Sequence, residues 1–258
     1  GGTGRPIVLI HGWPLNLEAW SGTTPALSQA GYRVIAYDRR GFGDSDKPET
    51  GYNYNTLTDD LHALITQLDL QDAVLVGYSM GGGEVVRYLS RHAGDRVTAG
   101  VLMAATPPAL LISPTNPDGG LTSEMVDGMI AGLRADREGF LREFMTGFFT
   151  PAGGEFAVSQ EVLADTLHLA DKASLTAVTD CIRIWGDDFR QEMKQIQVPM
   201  LIMHGDADQS VPAELSAKRS HELLPNSELV LIPGGPHGIY ATHTDQVNQA
   251  LLDFLGKL

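Results

Sequence analysis

Cysteine is almost missing from this sequence. Cys181 is the single one among 258 residues, so no disulfide can close within the chain and no cysteine-based metal site can form. A reducing compartment follows, with the cytoplasm as the expected home, and Cys181 reads as a small buried filler. Cations are also scarce: 18 Lys and Arg stand against 32 Asp and Glu, for a net charge of −14, and no run gathers the cations together. Phosphate backbones and anionic lipid repel such a chain, which argues against nucleic acid and membrane surfaces as partners. Long apolar runs are missing too, and none approaches the roughly 18 residues of a membrane span. The opening Gly1-Gly2-Thr3-Gly4-Arg5-Pro6 lacks the build of a signal peptide. It also lacks an initiator Met, which leaves room for a removed segment ahead of it.

What is present is a hydrophobic content of 43% over a length that suits one sizeable globular domain, 1–258. Short β-branched apolar runs at 7–10, 33–37, 73–76, 97–103, 200–203 and 228–232, each bounded by Gly, Pro or Asp, read as buried strands. Amphipathic stretches lie between them. The clearest spans 56–68, where Leu57, Leu61, Leu64, Ile65 and Leu68 share one face and Asn55 is placed to cap the start. Further helices are expected at 82–91, 213–224 and 245–255. Continuous apolar strands alternating with such helices predict an α/β fold, a mostly parallel central sheet covered on both faces. The alternation stops from about 106 to 195, where Pro107-Pro108 gives way to helical patterns carrying Phe140, Phe144, Phe148, Phe149 and Trp185. Helices inserted between two strands are expected to cap the carboxyl edge of the sheet, where ligands bind in open α/β folds. For any one of these aromatics, the competing reading is the cap's own core.

Gly77-Tyr78-Ser79-Met80-Gly81 follows a strand and precedes a helix, the setting that exposes a serine on a sharp turn at the sheet edge. The flanking glycines relieve crowding there. Met80 would offer its N–H at the helix N-terminus to a developing oxyanion. Ser79 is therefore the candidate nucleophile, and a serine nucleophile needs a base held by an acid. His237, in Gly234-Gly235-Pro236-His237-Gly238 after a strand, is the candidate base. His243 is its nearest rival, while His62, His92, His168 and His221 fall in helical patterns and read as surface residues. The strand at 200–203 runs into His204-Gly205-Asp206-Ala207-Asp208. Asp208, further out on the loop and in the chain order Ser, Asp, His, is preferred as the acid, with Asp206 left to brace the loop through backbone amides. The His and Asp spacing lacks further ligands, so no metal is expected. Gly12 and Trp13, after the first strand, supply the expected second oxyanion donor, the Trp13 amide, with His11 structural.

Four segments carry a resemblance: His11-Gly12-Trp13-Pro14, Tyr37-Asp38-Arg39-Arg40-Gly41-Phe42-Gly43-Asp44-Ser45, Gly77-Tyr78-Ser79-Met80-Gly81-Gly82-Gly83-Glu84 and Pro236-His237-Gly238. Nearly end to end, the sequence resembles the bacterial cofactor-free (non-haem) haloperoxidases or perhydrolases of α/β-hydrolase fold, with the aryl esterases and γ-lactamases as close relatives. The resemblance implies a triad of Ser79, Asp208 and His237, and an oxyanion hole from the Trp13 and Met80 amides. It implies no metal, haem or flavin. The implied substrates are small acyl esters, cleaved through an acyl-enzyme. Hydrogen peroxide in place of water would release a peracid that oxidises halide away from the enzyme. A proline after the oxyanion residue marks members efficient with peroxide, which implies that Pro14 repositions the Trp13 carbonyl to accept a hydrogen bond from it; the other reading is that Pro14 only shapes the turn. Pro14, Phe144, Phe148, Trp185 and Ile239 are the expected pocket residues. The resemblance further implies two strands ahead of 7–10 that this sequence lacks, leaving an edge for a homo-oligomer or another segment to cover. Epoxide hydrolase or haloalkane dehalogenase chemistry would want a carboxylate where Ser79 stands. A γ-lactamase or other amidase would use the same groups and stays open. Outside enzymes, the alternative is a non-catalytic ligand receptor of the same fold.

Overall fold

A computed structural model describes residues 3–92 and 95–258; Gly1 and Gly2 of the opening segment lie outside the described residues. Six strands form one parallel sheet: β1 (Pro6–Ile10), β2 (Arg33–Tyr37), β3 (Ala73–Tyr78), β4 (Val97–Met103), β5 (Met200–Gly205) and β6 (Ser227–Ile232). Their spatial order is β2-β1-β3-β4-β5-β6. Every residue of β1, β3 and β5 is buried, which is why these runs are apolar without alternation. The edge strands β2 and β6 are only partly covered. Among the described residues the helices are, in chain order, α1 (Thr24–Gln29), α2 (Tyr54–Gln67), α3 (Gly81–Arg91), α4 (Ser123–Ala135), α5 (Arg137–Phe148), α6 (Gln160–Asp171), α7 (Leu175–Ile184), α8 (Arg190–Met193), α9 (Ala217–Leu223), α10 (Ile239–Thr242) and α11 (Thr244–Leu255).

Three details of the expected helices are corrected. Asn53, not Asn55, caps α2: it is extended, and its side chain accepts from Thr56 N. Asn55 already lies inside the first turn, where its side-chain oxygen instead accepts from Arg87 at 2.6 Å. Leu68 lies past the last helical residue and is 38% exposed, while Leu70 beyond it is fully buried. The helix expected from 213 begins only at Ala217. Ser216 is drawn out of helical geometry as its hydroxyl donates to the Ala105 and Pro107 carbonyls, a tertiary partnership that overrides the local pattern.

The chain runs from β1 outward to β2 and then back across β1 to β3. Between β1 and β3 the winding reverses, and in open α/β sheets the crevice for ligands opens at the carboxyl end of such a switch. Ser79 follows β3 there, and His11 to Trp13 follow β1. Helices α4 to α8 are inserted between β4 and β5. Four of them begin on side-chain caps, Thr122, Asp136, Ser159 and Ser174, whose oxygens accept from the first-turn amides. The insertion is fastened to the sheet edge by main-chain bonds, Gly238 N to Phe148 O at 3.0 Å and Ala152 N to Ala207 O at 2.8 Å.

Candidate active site

Ser79 occupies the turn from β3 into α3 with φ of +54°, a left-handed conformation that costs a residue with a Cβ about 1–2 kcal/mol. The crossing of the two elements explains the glycines. A Cβ on Gly77 would lie 2.4 Å from the Gly81 carbonyl oxygen, and one on Gly81 would lie 2.7 Å from the Ile10 carbonyl oxygen. The Ser79 amide donates to Met103 O at 2.9 Å, which fixes the turn against β4.

Three residues far apart in sequence meet at this edge. His237 Nε2 lies 3.0 Å from Ser79 Oγ, and His237 Nδ1 lies 2.7 Å from Asp208 Oδ2. The other Asp208 oxygen accepts from the Ser210 and Val211 amides at 2.9 and 2.8 Å. His204 Nε2 donates to Val211 O at 2.7 Å and stands 3.2 Å from Asp208 Oδ2. Burial pushes the Asp208 carboxyl up, but the His237 imidazole and the hydrogen bond from His204 outweigh it and hold the group well below the usual carboxylate range. Asp208 thus stays charged in a dry setting and fixes the His237 proton on Nδ1, leaving Nε2 free to accept. Asp206 points elsewhere and accepts from Gly234 N at 2.7 Å, bracing the loop that carries His237.

Beside Ser79 the main-chain N–H groups of Trp13 and Met80 face no protein acceptor among the described residues, as donors reserved for an incoming oxyanion would. The Trp13 indole donates to Val178 O of α7 at 2.9 Å and packs edge-on to Phe144 and Trp185, so the insertion grips the loop that offers the amide. A cavity of about 500 Å³ opens over Ser79 and His237, walled by Trp13, Met125, Met129, Phe144, Phe148 and Trp185 among others. Of the expected pocket residues, Phe144, Phe148 and Trp185 border this cavity. Pro14 and Ile239 are corrected: neither lines the cavity. Pro14 is buried within its loop, and Ile239 is turned under the His237 loop, where it would meet a Cβ on Gly235.

Below the site lies a cluster that the sequence did not assign. Arg39, buried, donates through Nε at 3.0 Å to Glu84 of α3 and through a terminal nitrogen at 2.7 Å to the His11 carbonyl. Its amide donates to His11 Nε2 at 3.0 Å. Burial, and then the nearby Arg39, hold His11 well below an ordinary histidine and so neutral. Burial likewise opposes the charge on Arg39, but the Glu84 carboxylate outweighs it and keeps the guanidinium firmly protonated. The pair ties the β1 loop to the first turn of α3, the two elements that supply the free amides. Its one local signal was Glu84, a charged residue at the end of a glycine-rich motif. His204 and the pocket methionines carried no local signal, since their partners come from other segments. Cys181 is buried in α7, and burial pushes its thiol up to about 12. No group of three or more His, Cys, Asp or Glu among the described residues is placed to hold a metal ion, and none of the described helices is long and apolar enough to cross a membrane.

Comparison with known proteins agrees with this geometry. The family model for the alpha/beta hydrolase fold matches residues 5–244. A solved bromoperoxidase from Bacillus anthracis superposes with a TM-score of 0.96 at 48% identity, covering 99% of this chain and 93% of that one. A non-heme chloroperoxidase of Kitasatospora aureofaciens is 40% identical over 99% of this chain and 94% of its own. A bifunctional esterase/perhydrolase of Acinetobacter calcoaceticus is 37% identical over 97% of this chain and 91% of its own. By sheet order, turn geometry and sequence alike, the chain belongs to the alpha/beta hydrolase fold family.

Proposed function

We propose that this protein is a serine carboxylic ester hydrolase acting on small, uncharged aryl or short-chain esters, with perhydrolase and cofactor-free haloperoxidase activity when hydrogen peroxide is the acceptor. The observation that carries the reading is the continuous hydrogen-bonded chain Ser79 Oγ, His237 Nε2, His237 Nδ1, Asp208 Oδ2 at 3.0 and 2.7 Å. In the first step His237 Nε2 takes the Oγ proton as Oγ attacks the acyl carbon. The carbonyl oxygen becomes an oxyanion and takes the Trp13 and Met80 N–H donors. The imidazolium, steadied by charged Asp208, then protonates the leaving alkoxide, and Ser79 is left acylated. Water, deprotonated by His237, returns the free acid. Hydrogen peroxide in the same place returns a peracid, and the peracid oxidises halide to hypohalous acid in solution.

Relatives named as a non-heme chloroperoxidase and as a bifunctional esterase/perhydrolase support both acceptors for one acyl-enzyme. The helical insertion serves as the cap of a single catalytic domain. Its apolar wall suits an aryl or alkyl acyl group, and the cavity lies within the range of about 300–1,000 Å³ usual for small-molecule sites. Among the described residues Glu143 is the single carboxylate on the wall and no Lys or Arg lines it, which favours neutral esters over those bearing a second carboxylate. Because Pro14 lies behind the wall, its influence on peroxide runs through the Trp13 main chain rather than through contact. The test is turnover of p-nitrophenyl acetate and peroxide-dependent bromide oxidation in the presence of acetate. Both are expected to fall about 10⁴-fold or more in Ser79→Ala, and a variant that retains either would overturn the assignment.

A further inference from the structure

The triad and its amides leave the buried Tyr78 hydroxyl unused. Tyr78 closes β3 and immediately precedes Ser79. Its hydroxyl donates to the main-chain carbonyl of His237 at 2.9 Å, across 159 residues of sequence. Its ring stands 5.6 Å from the His237 imidazole and edge-on to Phe148 of α5 at 6.3 Å. The β1 loop rests on the same ring, since a Cβ on Gly12 would come within 2.8 Å of Tyr78 Cδ1 and 3.0 Å of Ser79 Cβ. One side chain thus touches the oxyanion loop, the base loop and the insertion, while its backbone carries the nucleophile. The base loop is braced on either side, at Gly234 by Asp206 and at Gly238 by the Phe148 carbonyl, and Tyr78 holds it at His237 itself. It leaves β6 through Gly234, at φ +69°, and Gly235, and glycine restricts the backbone least.

We propose that Tyr78 is a positioning residue whose hydroxyl, by holding the His237 carbonyl, keeps the imidazole at hydrogen-bonding distance from the serine that follows Tyr78 in the chain. The proposal rests on Ser79, His237 and Asp208 acting as proposed above. Burial raises the Tyr78 phenol well above its ordinary value, so the hydroxyl stays a donor wherever the triad can work. Without it the His237 carbonyl loses its buried donor, the loop relaxes, and the Nε2 to Oγ contact lengthens. Displacements of an ångström or less at a reacting pair are enough to cost up to about a hundredfold in rate. Substrate binding, which depends on the cavity wall, is untouched.

The test compares Tyr78→Phe with Tyr240→Phe. Tyr240 packs on the same ring at 5.4 Å and has a buried hydroxyl that holds no part of the base loop. Both variants keep their rings, and so the packing. Tyr78→Phe is expected to lower kcat about tenfold with KM within about twofold, to slow labelling of Ser79 by a fluorophosphonate by the same factor, and to lower the plateau of the pH–rate profile without moving its midpoint. Tyr240→Phe should stay within about twofold of the parent enzyme. Parent-like kcat and labelling in Tyr78→Phe would overturn the proposal whatever happens to its melting temperature. An equal loss in both variants would overturn it as well, because the effect would then belong to packing. If the parent enzyme's Ser79 takes up no fluorophosphonate, the triad reading falls, and this proposal with it.

Discussion

Two buried carboxylates flank the proposed nucleophile, and their partners separate what they do. Asp208, at the end of β5, faces an imidazole; Glu84, in the first turn of α3, faces a guanidinium. An imidazole gains and loses a proton near neutral pH, so a fixed charge beside it governs a proton that moves during turnover. A guanidinium never releases its proton, so the charge beside it can only hold. Asp208 accordingly reaches Ser79 Oγ through His237 alone, and Glu84 is placed beneath the loops that carry the free amides. The neighbour of Asp208 makes the same point at shorter range. Asp206 is two residues away, yet it meets only a backbone amide, which reads as structural bracing.

The sharpest way to break this contrast is to exchange charge for an amide at each acid. Asp208→Asn is expected to lower kcat/KM about 10⁴-fold by favouring the wrong imidazole tautomer, whereas Asp206→Asn should cost less than about tenfold; ester turnover measures both, and the reverse order would move the triad acid to Asp206. Because the Asp208 carboxyl is held low in the folded state, its contribution to stability is complete at neutral pH and is lost as pH falls below the ordinary carboxylate range. Urea denaturation of Asp208→Asn should therefore show a shallower acid decline than the parent.

Glu84→Gln should act on stability first. Leaving the buried Arg39 charge unpaired costs about 3–5 kcal/mol by denaturant unfolding, with a smaller loss of activity per folded molecule than in Asp208→Asn. Equal stability to the parent would show that the pair holds nothing. The smallest effect on stability is expected between the two acids, at Ser79 itself. Ser79→Gly removes the left-handed strain at φ +54° and should gain about 1 kcal/mol or less in stability while abolishing turnover. A loss of stability there would mean that the turn carries no strain.

The inner strands were legible because both faces of a parallel sheet are buried, and 97–103 falls on β4 to the residue; the partly covered β2 also matches 33–37, through its apolar run and flanking Gly and Asp. Ser79 and His237 were legible as well, since each stands in a glycine-marked turn directly after such a strand. The location of the inserted helices could be read from the point where the alternation stops. The cavity lining was legible only in part, at Phe144, Phe148 and Trp185, because a helix pattern tells which face is apolar and not what that face meets. Pro14 and Ile239 were expected there because they are apolar and close in sequence to Trp13 and His237, yet neither is among the residues that line the cavity. The cap of α2 was misread for a related reason. Asn53 and Asn55 are equivalent in composition, and only the extended backbone at Asn53 lets a side chain reach back to Thr56 N.

By itself the sequence determined the class of fold, the chain order of serine, acid and base, and the strained turn that exposes the serine, because hydrophobic period and glycine spacing are local properties of a chain. Tertiary structure decided which aspartate meets the imidazole, that Arg39 and Glu84 bind the two amide-bearing loops together, and that the Tyr78 hydroxyl reaches His237. Those contacts join residues from 28 to 159 positions apart, and a buried polar group takes whichever partner the packed sheet brings within about 3 Å of it.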